Sequence, residues 1–207
     1  MLKRSILVLF AMAIAAQASA KVVGTEWGLT AGVRYDIISF DKNTGLSLSP
    51  NITYNVGLHT SLVFLGLAIQ PELNYGYTAI KVKTMVDGGK NTDTKVKAHD
   101  LEVPVLLSLR LLPVIRFNAG VVFNILNKAT YERQNEVLMF GPIHPSVGYA
   151  AGISLCFGHK VLIDARFVGY FNKSLNEFNP FYPPIAERAV TFNMKSCSAG
   201  IKIGYLF

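Results

Sequence analysis

Between His99 and Asn127 the chain reads HDLEVPVLLSLRLLPVIRFNAGVVFNILN, and its apolar residues recur at every second position. Leu101, Val103, Val105, Leu107, Leu109 and Leu111 fall on one face, with Asp100, Glu102, Ser108 and Arg110 on the other. Successive side chains of a strand point to opposite faces, so this is strand periodicity. After a tight turn at Leu112, Pro113 and Val114 the alternation restarts, with Ile115, Phe117, Ala119, Val121, Phe123 and Ile125 against Arg116, Asn118, Gly120 and Asn124. Each arm carries about eleven alternating residues, twice the usual strand of a soluble protein and the length that crosses a bilayer as a tilted strand. The hairpin predicts one part of the wall of a membrane barrel.

The start of the chain supplies an address. Lys3 and Arg4, an apolar run from Ile6 to Ala16, and the small-x-small pattern Ala18-Ser19-Ala20 predict a secretory signal peptide over residues 1–20. The run is too short for a spanning helix, and no cysteine follows it to mark a lipoprotein. Its removal leaves a single domain over 21–207, 207 − 20 = 187 residues, and lowers the formal charge from +7 to +5 as Lys3 and Arg4 go. A mild positive charge suits a surface against anionic lipid headgroups. Beyond the signal no apolar run of about eighteen residues is free of charge. A chain that is 51% hydrophobic must therefore hide those residues in some way other than a spanning helix. Cys156 and Cys197 fall on nonadjacent strands and opposite faces, which predicts two free thiols. The sequence has no nucleic-acid motif and no internal repeat beyond the strand rhythm, so no nucleic-acid partner is expected.

Taken in order, Trp27 to Asp36 gives a first strand and Ile37 to Ser49 a loop; Asn51 to Leu58 gives a second strand with a turn within Thr60 to Leu65. The third strand covers Leu67 to Tyr77 and leads into a polar loop, Val82 to Lys97. The hairpin supplies strands four and five, and a loop from Lys128 to Pro145 precedes strand six, Ser146 to Phe157. Gly158 and His159 turn the chain into strand seven, Val161 to Asn172, followed by a loop from Lys173 to Arg188 and a last strand ending at Phe207. In that strand Val190, Phe192 and Met194 are out of phase with the lower half, which predicts a bulge near Lys195 to Ser198. Eight strands whose connections alternate long and short predict an all-β, eight-stranded antiparallel up-and-down transmembrane β-barrel in the cell outer membrane. Both termini and the short turns would lie in the periplasm and the long loops outside. Tyr205 and Phe207 at the end of the last strand resemble the signal read by the barrel-assembly machinery, the partner expected during biogenesis.

A soluble eight-stranded barrel would have the same faces inverted. Five or six bulky residues on each of eight strands make roughly forty or more, and an interior of eight strands holds only a few layers of side chains. The bulky face must point outward, with aromatics such as Trp27, Tyr35, Tyr75, Phe117, Phe123, Tyr149, Phe157 and Phe171 forming interfacial girdles. The inner face then carries Arg34, Glu72, Glu102, Arg110, Arg116, Asp164, Arg166 and Lys202, bulky enough to fill an eight-stranded lumen as a charge network. Arg110 and Arg116 flank the hairpin turn symmetrically and need carboxylates, for which Glu72 is the first candidate and Asp164 the second. Pro71 and Pro104 each remove a ladder donor from a central strand and require bulges or unpaired positions.

Gln70-Pro71-Glu72-Leu73, Leu101-Glu102-Val103-Pro104 and the glycine of Asn118-Ala119-Gly120 resemble the small outer-membrane β-barrel family often called PorT-like. The resemblance covers the mature chain and implies an eight-stranded barrel without a shared activity; some members of that family serve secretion machinery.

For function, a structural or interaction barrel acting through its outer loops is expected, with a small porin-like channel or a secretion-machinery component as the alternative. The most distinctive loop is Asn179-Pro180-Phe181-Tyr182-Pro183-Pro184, a stiff and sticky surface for a protein partner or lipopolysaccharide, or a cover over the barrel mouth. An enzyme is the lesser alternative. His144-Pro145-Ser146 resembles the His-x-Ser pair of lipid A deacylases, but no Asp or Glu follows before Asp164, so the acid that would orient the histidine is missing. His59, His99 and His159 have no metal-ligand spacing, and neither a metal nor a cofactor is expected.

Overall fold

The computed structural model describes residues 23–40, 46–48, 51–64, 66–86, 90–110, 112, 114–133, 136–139, 144–158, 160–178 and 190–207. The expected signal peptide, residues 1–20, and His159 lie outside the described residues. Every regular element among those described is a strand: β1 Val23–Phe40, β2 Leu46–Leu48, β3 Asn51–Phe64, β4 Leu67–Val86, β5 Lys90–Arg110, β6 Ile115–Arg133, β7 Glu136–Met139, β8 Val147–Phe157, β9 Val161–Tyr170, β10 Ser174–Phe178 and β11 Val190–Leu206. Eight of them form the wall in the order β1-β3-β4-β5-β6-β8-β9-β11, and β11 pairs with β1 to close it. All neighbours are antiparallel. The short strands β2, β7 and β10 extend this wall by pairing with β4, β6 and β11.

The alternation read in the sequence decides which face is which. On β1, Trp27, Leu29, Val33 and Tyr35 are exposed while Thr30, Arg34 and Asp36 are buried; Trp27 keeps 61% of its surface and Asp36 only 3%. An apolar outer surface around a polar interior is the reverse of a soluble barrel, and it suits hydrocarbon outside. Aromatics gather at both rims. Near the termini Trp27 and Phe207 meet at 5.4 Å between ring centroids, and at the loop end Tyr149 and Phe171 meet at 5.3 Å. Cys156 is buried and Cys197 half-buried, on the nonadjacent strands β8 and β11, and both thiols are free.

Several boundaries differ from the expectation. β3 continues through His59, Ser61 and Val63 facing inward and Leu62 and Phe64 facing outward, so β3 runs through most of the expected turn Thr60 to Leu65 and Phe64 pairs with Leu67 of β4. Gly66 takes φ 80° there and Gly158 takes φ 56° at the β8–β9 turn, left-handed values that a side chain resists. The expected loop Val82 to Lys97 is largely strand, because β4 runs to Val86 and β5 starts at Lys90, where valines and threonines sustain pairing. β6 likewise reaches Arg133 and β1 reaches Phe40. With 20, 21 and 19 residues, β4, β5 and β6 are about twice as long as a membrane crossing needs, so this side of the wall stands above the bilayer.

The prolines sit where ladders are interrupted. The β4–β5 pairing skips from Pro71 opposite Val105 to Asn74 opposite Glu102, leaving the stretch across from Pro104 unpaired, and β3–β4 skips the positions across from Pro71. The expected bulge at Lys195 to Ser198 is absent: β11 keeps one register with β1 from Met194 to Leu206, and with β9 from Cys197 to Tyr205. The β11 pairing shifts by two residues between β9 and β10, from Cys197 opposite Gly169 to Met194 opposite Ser174, an even step that leaves the parity of β11 unchanged. A real bulge lies on β6, where Leu101 faces Leu126 but Glu102 faces Asn124, leaving Ile125 as the extra residue.

Candidate functional site

The lumen is where the sequence placed its chemistry, and all eight expected charged residues face into it, in three tiers. At the terminal end, Glu26 of β1 accepts from Arg110 (2.7 Å) and Arg116 (3.0 Å), the two arginines that stand opposite each other across the hairpin. This corrects the expected partner. The carboxylate is Glu26 rather than Glu72 or Asp164, because the inward even-numbered face of β1 begins one position before the strand assumed from sequence. Cys156, Leu162 and Leu206 form an apolar floor beside this tier.

The middle tier turns on Glu72. Arg166 binds it in a bidentate fork at 2.7 and 2.8 Å, Lys202 donates at 2.8 Å, and His59 Nδ1 and Asn74 Nδ2 approach at 3.3 and 3.2 Å. Arg166 also reaches Asp164 at 2.8 Å, and Asp164 accepts from Ser154 and Asn118. Four side chains from β3, β4, β9 and β11 thus converge on one carboxylate across the lumen.

In the upper tier Arg34 gathers Asp36 (2.8 Å), Glu102 (2.8 Å) and Asp100 (3.2 Å), and Tyr170 donates to Glu102 at 2.9 Å. Asp36 also accepts from Thr53. Above them the segment at 144–145 folds into the mouth. His144 is buried, stacks on Tyr170 at 4.9 Å, and sets Nδ1 2.9 Å from Ser196 Oγ and Nε2 3.3 Å from Arg34. A guanidinium only donates, so Nε2 accepts, Nδ1 donates to Ser196, and the ring is neutral. Burial pushes this loop imidazole below its ordinary value, against the pull of Asp36. Asn124 and Asn127, on either side of the bulge, hold the segment by its Pro145 and His144 carbonyls at 2.6 and 2.8 Å.

Five cations (Arg34, Arg110, Arg116, Arg166 and Lys202) face six carboxylates (Glu26, Asp36, Glu72, Asp100, Glu102 and Asp164) in these ion pairs, so the charges nearly cancel within the wall. Leu106, Val122, Ala150, Val168 and Tyr170 pack as an apolar plug beside the upper tiers, a feature that alternation alone did not reveal. The cavity among Arg34, Asn74, Glu102, Arg166 and Lys202 measures about 30 Å³, room for little more than a water molecule. Glu26, Asp36 and Asp100 were missed as network members, although each shares the inward parity of Arg34 or Glu102 on its strand. His144 and Ser146 do not act together: the histidine turns inward to Ser196, while Ser146 is exposed. Tyr205 and Phe207 lie on the outer surface at the seam, and the Asn179 to Pro184 loop is outside the described residues.

A closed antiparallel wall, apolar outside and neutralised by ion pairs inside, defines a small outer-membrane β-barrel. The chain belongs to the outer membrane protein beta-barrel domain family, whose model matches residues 15–176, and its place is the cell outer membrane. Its fold is similar to that of the outer membrane protein OprG from Pseudomonas aeruginosa, at 13% identity over 89% of this chain and 96% of that one, with a TM-score of 0.52. Neisserial surface protein A is similar at 12% identity, 88% and 98% coverage and a TM-score of 0.51. The attachment invasion locus protein Ail of Yersinia pestis, in complex with the heparin analogue sucrose octasulfate, is similar at 14% identity, 88% and 99% coverage and a TM-score of 0.50. At these identities the likeness is one of fold alone. No curated protein matches the chain in sequence.

Proposed function

We propose that the protein is a structural or interaction barrel, closed to solutes, that presents its outer loops to a partner at the cell surface. The observation that carries this reading is the Glu72 tier, where Arg166 and Lys202 cross the lumen to one carboxylate and line a cavity of only about 30 Å³. A pore would need those side chains to part, and each is held by a charge-assisted bond. The folded-in His144 segment supports the same reading, since it covers the mouth from the loop side. The candidate recognition element is the Asn179 to Pro184 loop, whose prolines and aromatics suit a preformed contact surface. The reading assigns no hydrolysis to His144 and Ser146.

Planar-bilayer recording of the refolded barrel tests the closure: a quiet trace is expected, and large, stable conductance steps overturn it. Crosslinking in intact outer membranes tests the partner. Replacing residues 179–184 by a Gly/Ser linker should leave the barrel folded and abolish the crosslinked species. A species that survives the replacement places recognition elsewhere.

A further inference from the structure

We propose that the recess filled by the His144 ring is a binding site for a small planar nitrogen heterocycle, with the strap at residues 144–146 as its tethered competitor. The walls of this recess are held by bonds that do not involve the strap. Tyr170, on whose ring His144 stacks at 4.9 Å with the planes 16° apart, is fixed by its hydroxyl on Glu102 at 2.9 Å. Arg34, which donates to Nε2 at 3.3 Å, is fixed by Asp36, Glu102 and Asp100. Ser196 stands on β11 within its unbroken register with β1 and sets Oγ 2.9 Å from Nδ1. An aromatic face, a fixed donor and a hydroxyl therefore keep their places around one flat ring, whichever molecule supplies it.

The strap is tied down elsewhere and by other atoms. Asn124 and Asn127 hold its Pro145 and His144 carbonyls, and the Asn124 main-chain N–H donates to the Ser146 carbonyl at 2.8 Å. The seat is thus built by β1, β9 and β11, and the tether by β6. A tethered group competes with a free one at an effective concentration of about millimolar, so the closed strap masks the seat and a loosened one reveals it. The chemistry of the seat selects the ligand. Arg34 only donates, so the ring must offer a bare nitrogen there and an N–H towards Ser196. A carbocycle would leave the Arg34 donor facing carbon, and a cationic ring would set like charges 3.3 Å apart. The seat lies above the Glu72 tier, so a ligand reaching it from the outer side needs no path through the lumen. It is therefore independent of both the closure and the loop recognition proposed above.

The test uses the refolded barrel in micelles at about pH 8, where an imidazole is neutral. Imidazole is the probe, and the amide NMR shifts of Tyr170 and Ser196 are the reading. His144→Gly should bind imidazole saturably and at least about tenfold more tightly than wild type, whose own ring holds the seat. The same variant should bind 1-methylimidazole, which lacks the N–H, about tenfold more weakly, the usual worth of one buried hydrogen bond. Adding Ser196→Ala should remove the difference between the two probes. No saturable shift in His144→Gly overturns the proposal, as does equal affinity for the two probes. Asn124→Ala with Asn127→Ala keeps the ring and loosens the tether, so it should bind imidazole more tightly than wild type. Affinity equal to wild type in that pair would show that the strap does not compete, and would also overturn the proposal. Heat-modifiable gel mobility confirms that each variant is folded, and the asparagine pair carries the test if His144→Gly does not fold.

Discussion

A carboxylate gripped by two cations where water is scarce cannot be neutralised without stranding both of them, and Glu72 is in that position between Arg166 and Lys202. Glu72→Gln should lower barrel stability by roughly 3 to 5 kcal/mol in urea titrations in micelles, the usual cost of leaving a buried charge unpaired. Glu26→Gln should also destabilise, and Glu26→Gln with Arg110→Met should recover part of that loss, because the like-charged pair Arg110 and Arg116 is relieved. Glu72→Gln combined with Arg110→Met should instead be additive, since these two residues share no ion pair. Additivity in the first pair would refute the assignment of Glu26. His144 adds a pH dependence. Its ring is faced by Arg34, Asp36, Asp100, Glu102 and Tyr170, and burial holds it below its ordinary value of 6.5. The unfolded chain then binds the proton more readily, so the stabilisation is complete above about pH 6.5 and is lost as pH falls below it. The slope of stability between pH 7 and 5 should flatten in His144→Gln, and an unchanged slope would place the titration elsewhere. Which residues face inward was legible from parity alone. Which cation meets which carboxylate was not, because partners across a lumen depend on the stagger of all eight strands, and no local pattern records it.

At the scale of the strand, ladder interruptions and the bulge have separate jobs. Pro71 and Pro104 were legible as donors missing from central strands, and the skipped pairs beside them are the answer the fold gives. The β6 bulge left one faint mark in the sequence, the consecutive apolar pair Ile125-Leu126, which alone interrupts the outward series that Ile125 otherwise continues. Deleting Ile125 would make Leu101 opposite Leu126 and Glu102 opposite Asn124 a continuous register without turning any other residue to the wrong face. The deletion should therefore fold, as seen by gel mobility before and after boiling, whereas deleting Val103 from the facing strand inverts one end of β5 and should not. What ΔIle125 should lose is the hold on the mouth, since the bulge aims Asn124 and Asn127 at the Pro145 and His144 carbonyls. Faster hydrogen exchange around residues 144–146 would report it. The strand extensions of β4 to β6 carry lysines and threonines whose local pattern predicts loops, yet backbone pairing continues through them.

For the whole molecule the decisive contact is the seam. The main-chain N–H of Phe207 donates to the Trp27 carbonyl at 2.8 Å, and Leu206 donates to the Lys160 carbonyl at 2.7 Å, so these two residues tie β11 to both its neighbours at the rim of the short turns. Removing Phe207 should reduce the heat-modifiable folded fraction more than Phe207→Ala, which keeps the main-chain bond and loses only the ring over Trp27. Equal folding of truncated and full chains would assign the terminal aromatic no part in closure. The seam also dictates an order of events. Gly28 pairs with Leu206, a separation of 206 − 28 = 178 residues. No part of the chain can complete the sheet until its end has arrived, and every state before closure carries two strand edges with rows of unsatisfied N–H and C=O groups. Such edges bind each other or any passing strand, so the protein reaches the membrane as a chain that must be kept from pairing, and its final pair is also the one that removes its capacity to aggregate.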